Sequence, residues 1–287
     1  MRVLVIGKTG QVATELAALA PDAVCLGRDG AEMSDPEGAG VAVGRALREA
    51  GAAAAINAAA YTAVDRAEED KALADAVNGV APGAIARACA GAGIPLVHIS
   101  TDYVFDGSGR APRPPDAPTA PLGVYGRTKL AGEEAVRAAD GVHAILRTSW
   151  VFSPHGANFV KTMLRLSETR DTLSIVADQI GGPTSARAIA AACLRIAGRL
   201  QEAPALSGTY HFAGAPDVSW ADFARAIFDA AGRRVAVRDI PSSDYPTPAA
   251  RPLNSRLDCR TTESAFGIAR PDWRIDLRDT LNAMGAA

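Results

Sequence analysis

The chain has 287 residues, of which 48% are hydrophobic and 22% charged, with a formal net charge of −2. That length buries a large core, as one large domain or two coupled ones, and the composition is that of an ordinary globular protein. The small negative charge excludes a general nucleic-acid or membrane-surface binder, which needs a strongly basic face, while locally placed arginines still permit an anionic substrate. The four cysteines, at 25, 89, 193 and 259, lie far apart with no Cys-x-x-Cys spacing. They read as reduced structural thiols of a cytoplasmic protein, and zinc binding is not expected. No run approaches the ~20 apolar residues of a membrane span. The apolar run at 3–6 is stopped by Gly7 and is too short for a signal-peptide core.

From the N-terminus, short apolar runs alternate with amphipathic stretches. Residues 3–6, 23–26, 53–57, 96–100 and 144–147 read as strands, and 12–19, 36–50, 71–92 and 124–139 as helices. Near-continuous apolar strands separated by helices predict a parallel sheet covered on both faces, the Rossmann-type doubly wound α/β fold. Residues 107–121 are rich in proline and glycine and read as a loop on the substrate side. Further on, 158–168 and 186–200 read as helices, 173–176 and 209–212 as strands. Ser219 is a good N-cap for a helix over 220–231, followed by a strand at 235–240 and an irregular stretch over 242–252. The expected division is a dinucleotide-binding domain over 1–150, with 172–215 returning to it. A smaller C-terminal α/β substrate lobe takes 151–171 and 216–287.

Gly7-Lys8-Thr9-Gly10-Gln11-Val12-Ala13 follows a strand and opens a helix, the context a dinucleotide turn requires. Gly7 permits the sharp turn, Gly10 lets a diphosphate approach the backbone, and the helix N-terminus faces the anion. Gln11 and Val12 complete the turn. The position that carries an acid for the adenosine 2′-hydroxyl in such folds is Gly27, and Arg28 follows it. That leaves room and charge for a 2′-phosphate, so NADPH is the expected cofactor, with NADH possible because Asp29 stands next in line. Small residues after the third strand, Ala59 and Ala60 before Tyr61, let the backbone approach ribose and nicotinamide. Thr101 lies at the carboxyl edge of the fourth strand, where its hydroxyl can bond a substrate carbonyl. Tyr125 and Lys129 sit one helical turn apart on one face. A neighbouring ammonium favours the phenolate and lowers the tyrosine pKa, which suits proton exchange with an alcohol or alkoxide.

These motifs, with 100–107, 121–133, Arg147-Thr148-Ser149-Trp150-Val151, Asp178-Gln179-x-Gly181-x-Pro183-Thr184 and 245–255, run from end to end of the chain. Together they resemble the dTDP-4-dehydrorhamnose reductase family of the extended short-chain dehydrogenase/reductase superfamily. The resemblance implies reduction of a nucleotide-linked 4-keto-6-deoxyhexose at C4 to give dTDP-L-rhamnose. It makes Tyr125 the proton donor, Lys129 its tuner and ribose anchor, and Thr101 the group that orients the carbonyl. Val64 and Trp150 would pack on the sugar; Asp102 and Asn158 would join them, and Arg251 and Asn254 would lie near the diphosphate or sugar. Some members carry a glutamate after the Pro-Thr of the late motif and use it for a magnesium-linked dimer. Arg187 stands in that neighbourhood here, so no metal is expected. The partner is a nucleotide sugar, with no nucleic acid or membrane; a monomer and a homodimer both stay open. The rivals are a reductase or epimerase of another 4-keto-deoxysugar nucleotide and a non-catalytic regulatory subunit on the same scaffold.

Overall fold

The computed structural model describes residues 1–286. The first half runs β1 (Val3–Ile6), α1 (Gln11–Leu19), β2 (Val24–Leu26), α2 (Pro36–Ala50), β3 (Ala54–Asn57), α3 (Lys71–Asp75), α4 (Ala81–Gly91), β4 (Leu96–Thr101), α5 (Val124–Ala138) and β5 (His143–Thr148). The second half adds β6 (Val151–Phe152), α6 (Phe159–Ser167), β7 (Thr172–Val176), β8 (Ile180–Gly181), β9 (Thr184–Ser185), α7 (Ala186–Glu202) and β10 (Gly208–His211). The chain ends with β11 (Val218–Ser219), α8 (Trp220–Ala230), β12 (Ala236–Ile240), β13 (Asn254–Ser255), α9 (Arg260–Phe266) and α10 (Trp273–Ala283).

Six strands form one parallel sheet in the order β10-β5-β4-β3-β1-β2. Its strands are apolar on both faces because both are covered. α1, α7 and Phe266 of α9 pack on one face, and α2, α4 and Val136 of α5 on the other. The chain leaves β1 in opposite directions to reach β2 and β3, which opens a crevice at their carboxyl ends, where ligands bind in such sheets.

The expected helix over 71–92 is interrupted. A π turn, Ala76–Val80, joins α3 to α4. Its Asn78 turns inward to hold the backbone of Tyr61, accepting from its N–H at 2.8 Å and donating to its carbonyl at 3.0 Å. The turn also receives α5: a Cβ on Gly132 would meet the Asn78 carbonyl oxygen at 2.0 Å. Helical periodicity carries no mark of such a bulge, which is fixed by these tertiary contacts.

The second lobe has its own core, built from α6, α8 and α10 around Phe223, Phe228 and Trp273. The strand at 172–176, expected to return with 172–215 to the dinucleotide domain, pairs instead with β12 in a separate two-stranded sheet of this lobe. Return to the large sheet begins at α7, and α9, beyond 216, also packs there. Loop 107–121 is pinned to the second lobe by backbone bonds from Asn254 to Gly107 and from Arg113 to Arg256.

Candidate active site

The glycine turn lies between β1 and α1. Gly7 has φ +121°, and a Cβ there would meet the Ala58 carbonyl carbon at 3.3 Å, so only glycine is accommodated without strain. Gly10 caps α1 without a side-chain hydrogen bond, no acid lies in the first turn, and a Cβ on Gly10 would meet nothing. The N–H groups of that first turn are therefore free for an anion. Gly10 lines a trough of about 890 Å³ together with Gly7, Arg28, Ala59, Ala60 and Tyr61, among others, while Gln11 and Val12 of the first turn line the space next to it. This backbone cradle fits a dinucleotide diphosphate. Asp29 lines it as well, with Lys8 of the glycine turn and with Glu32 and Ser34, which were not singled out from the sequence. The Asp29 carboxylate leans over Gly27, 2.5 Å from where a Cβ would stand, and lies 4.0 Å from the Lys8 ammonium. The ground left open by Gly27 thus holds an exposed carboxylate and two nearby cations.

A second cavity of about 780 Å³ continues from the first, sharing Thr9, Gly10, Ala58, Ala59 and Ala60. Gln11, Val12, Val64, Thr101, Asp102, Tyr125, Lys129, Trp150, Asn158 and Arg251 all line it. Thr148, Phe159 and Trp220, to which the sequence assigned no site role, line it too.

Two glycines seat α5 against its neighbours. A Cβ on Gly126 would meet the Tyr103 carbonyl oxygen at 2.2 Å, so α5 rests directly on the turn that follows Thr101. Gly132 does the same against Asn78, two helical turns later. Glu68 accepts the Val124 N–H at 2.8 Å and caps the helix that Gly123 cannot. Tyr125 is thereby held against the strand end that carries Thr101, whose hydroxyl accepts the Tyr103 N–H at 3.2 Å and donates to Asp102 Oδ1 at 3.1 Å.

The electrostatics differ from the sequence expectation. Burial, then the charge of Asp102, pushes the Tyr125 phenol up to about 12, and the Thr101 hydroxyl beside it only moderates this. The lowering expected from Lys129 is not among the influences on the phenol. Burial brings Lys129 itself down to about 8, against a smaller upward pull from Glu133, and its ammonium donates to the Ile99 carbonyl at 2.7 Å. Burial also pushes Asp102 up to about 6, eased by hydrogen bonds from Ser255 and Thr101. Asp102 Oδ2 and Thr148 Oγ1 are buried without a protein partner, and both residues line the cavity. Buried polar atoms are rarely left so.

Behind Lys129, Glu133 is fully buried. Arg147 clasps it at 2.8 and 2.6 Å, and Ser100 donates to it at 2.6 Å. Burial alone would raise that carboxyl; Arg147, Ser100 and Arg137 together bring it below the usual range.

Arg251 reaches the cavity wall as expected, but its guanidinium is already engaged with Asp65 through two bonds of 3.0 and 2.8 Å. Asn158 caps α6 and donates to Gln11 Oε1 at 2.9 Å, joining the second lobe to the glycine turn. Asn254 is not on the cavity wall. Its amide donates to the Ala111 carbonyl at 2.9 Å and its oxygen accepts from Arg256 at 3.0 Å, so its polar atoms hold loop 107–121 in place. Arg187 lies 3.3 Å from Glu15, a cation filling the side of that carboxylate. Among the described residues no group of three or more His, Cys, Asp or Glu side chains is arranged to hold a metal.

The model of the RmlD substrate binding domain family matches residues 1–286. The dTDP-4-dehydrorhamnose reductase of Sinorhizobium fredii (strain NBRC 101917 / NGR234) is 46% identical, over 97% of this chain and 96% of that one. The crystal structure of a dTDP-4-dehydrorhamnose reductase from Clostridium acetobutylicum superposes with a TM-score of 0.89 at 33% identity, covering 99% and 100% of the two chains. The Bacillus anthracis dTDP-4-dehydrorhamnose reductase in complex with NADP also gives 0.89, at 32% identity and with 98% and 99% covered. The chain belongs to the dTDP-4-dehydrorhamnose reductase family.

Proposed function

We propose that this protein reduces the C4 keto group of dTDP-4-dehydro-6-deoxy-L-mannose to dTDP-L-rhamnose, using NADPH, with NADH as a usable alternative. The observation that carries this reading is the shared wall. The backbone cradle and the cavity with Thr101, Tyr125 and Lys129 have Thr9, Gly10, Ala58, Ala59 and Ala60 in common. A cofactor and a sugar nucleotide placed in them would therefore meet beside Tyr125.

The cofactor would be held by Gly7, Gly10, Gln11 and Val12 at its diphosphate, by Arg28 at the 2′-phosphate, and by Ala59, Ala60, Tyr61, Tyr125 and Lys129 toward the nicotinamide. Bound there, a reduced nicotinamide supplies the hydride that the sugar C4 receives. Thr101 orients the C4 carbonyl through its hydroxyl. Tyr125 gives its phenolic proton to the oxygen as the carbonyl becomes an alkoxide, so the product is the alcohol. A phenol pushed up to about 12 carries that proton at neutral pH, the state a donor must start in. Once the proton leaves, the adjacent ammonium of Lys129 favours the phenolate. Val64 and Trp150 pack on the sugar, Asp102 offers its unpaired oxygen to a sugar hydroxyl, and Asn158 closes the wall. Arg251 turns what remains of its donor capacity, after Asp65, to the diphosphate.

We assign cofactor binding to 1–150 with 186–211 and 260–266, and sugar binding to 151–181, 216–255 and 273–286. No helix among the described residues is long and apolar enough to cross a membrane. Four free cysteines suit a reducing compartment, and the cytoplasm is our assignment. A coupled assay tests the function. The 4-keto sugar nucleotide is generated enzymatically, and the protein and NADPH are added. Formation of dTDP-L-rhamnose with one NADPH consumed per product is expected; an epimeric sugar, or no oxidation of NADPH, would overturn the assignment.

A further inference from the structure

Trp150 has φ +50°, a left-handed backbone conformation that bulky residues disfavour. What keeps it there comes from the second lobe. Its indole stacks on that of Trp220, with centroids 3.6 Å apart and planes 10° from parallel. Trp220 is the first residue of α8, fixed by the Ser219 cap at 2.9 Å, and it leans on Phe159 at 4.6 Å. The Trp220 indole N–H donates to Gln179 Oε1 at 3.2 Å. Gln179 in turn donates to Ser242 Oγ at 3.0 Å, and Ser242 to Asp178 at 2.6 Å. A Cβ on Gly181 would stand 2.9 Å from Trp150 Cε2, so glycine makes room for the ring. The Thr184 N–H donates to the Trp150 carbonyl at 3.2 Å. The Asp-Gln-x-Gly-x-Pro-Thr segment is thus the scaffold of the tryptophan pair.

We propose that Trp220 is a positioning residue for the reduction. It acts through Trp150, holding that indole in a conformation its backbone disfavours, so that the sugar meets a rigid aromatic wall. The inference rests on the sugar-nucleotide reading of the cavity.

The test uses the full-length enzyme with Trp220→Phe, Trp220→Leu and Gln179→Leu. It measures KM and kcat for the sugar nucleotide, Kd for NADPH, Tm, and the circular dichroism of the coupled indoles. Trp220→Leu should raise the sugar-nucleotide KM about two- to tenfold, the range an aromatic pair contributes. The same variant should leave NADPH affinity unchanged and abolish the coupled-indole signal. Trp220→Phe, which keeps a ring, should recover most of the KM. Gln179→Leu keeps both indoles but removes the anchor, and should show a smaller KM rise; it also serves if the leucine variant does not fold. Normal wild-type turnover with KM unchanged in Trp220→Leu or Gln179→Leu would overturn this inference alone. A loss of NADPH affinity equal to the loss of sugar affinity would also overturn it, as general damage. A wild-type enzyme without turnover would remove the functional reading and this inference together.

Discussion

The trough beside β1 and the cavity beyond Tyr125 share a wall but are built by different means. The trough depends on backbone being left open: Gly7 and Gly10 carry no side chain and Ala59 and Ala60 only a methyl, with Lys8, Arg28, Asp29 and Glu32 adding charge, and the first turn of α1 has its N–H groups uncapped by any side chain. The cavity is made of side chains from distant segments, as where Trp150, Gln179 and Trp220 converge. Polar groups there are bound to one another before any ligand arrives, Arg251 by Asp65 and Asn158 by Gln11. A backbone site tolerates little change in residue size. A side-chain wall can be altered residue by residue, with graded effects on one ligand.

The sharpest way to break this comparison is at Tyr125, which lines the side-chain cavity and not the trough. Tyr125→Phe keeps the ring and loses the proton, and general acid catalysis supplies about 10²–10⁴-fold, so kcat should fall by that factor. NADPH binding should persist, because the backbone cradle is untouched; a variant retaining half its activity would remove Tyr125 from the mechanism.

A second line uses pH. Lys129 is brought down to about 8, so its ammonium is lost as pH rises through that value. The charge that favours the phenolate goes with it, and kcat/KM, which reports free-enzyme groups, should decline on the alkaline side of about 8. Below that value the lysine is charged and the profile should level off. Lys129→Arg, if any activity survives, should lack this limb, since a guanidinium stays charged. A wild-type profile still rising at pH 9.5 would contradict the assignment. Lys129→Met should weaken NADPH binding as well as turnover, because this one side chain serves both spaces.

The two glycines on the packed face of α5 test the seating of the helix. Gly132→Ala places a Cβ 2.0 Å from a backbone oxygen. Overpacking of this kind costs about 1–3 kcal/mol, readable in urea unfolding. Unchanged stability would mean that α5 can shift away from the π turn at no cost.

The smallest effect lies at Arg28. Its charge should favour NADPH over NADH, but Asp29 leans over Gly27 and both groups are solvent-screened. Arg28→Ala should cut the NADPH/NADH ratio of kcat/KM by about three- to tenfold, roughly one weak charge-assisted bond. A ratio that does not move would release Arg28 from the 2′-phosphate.

The same contrast explains what the sequence disclosed. β1, β3, β4 and β5 were legible to within about a residue because buried parallel strands are continuous apolar runs. The glycine turn and Tyr125-x-x-x-Lys129 were legible because their chemistry depends on local spacing. Trp220 was not, since a tryptophan behind a serine cap reads as an ordinary helix start, and its stacking on Trp150 is a tertiary event. Asn254 was read as a ligand residue because it lies in a motif beside Arg251; only the fold shows its amide spent on loop 107–121. The strand at 172–176 has the same apolar pattern whether it joins the large sheet or pairs with β12. The tyrosine pKa came out with the wrong sign because helical spacing points to Lys129 but shows neither the burial of the phenol nor the charge of Asp102, and both of these raise it.

The most direct test of the account is isotopic. NADPH carrying deuterium at the transferable position is incubated with the 4-keto-6-deoxy sugar nucleotide and the enzyme, and the product is examined by NMR. The account predicts one deuterium, at sugar C4, in dTDP-L-rhamnose, and loss of that product with Tyr125→Phe. Deuterium at another ring carbon, or an epimerised sugar with deuterium retained in the cofactor, would contradict it.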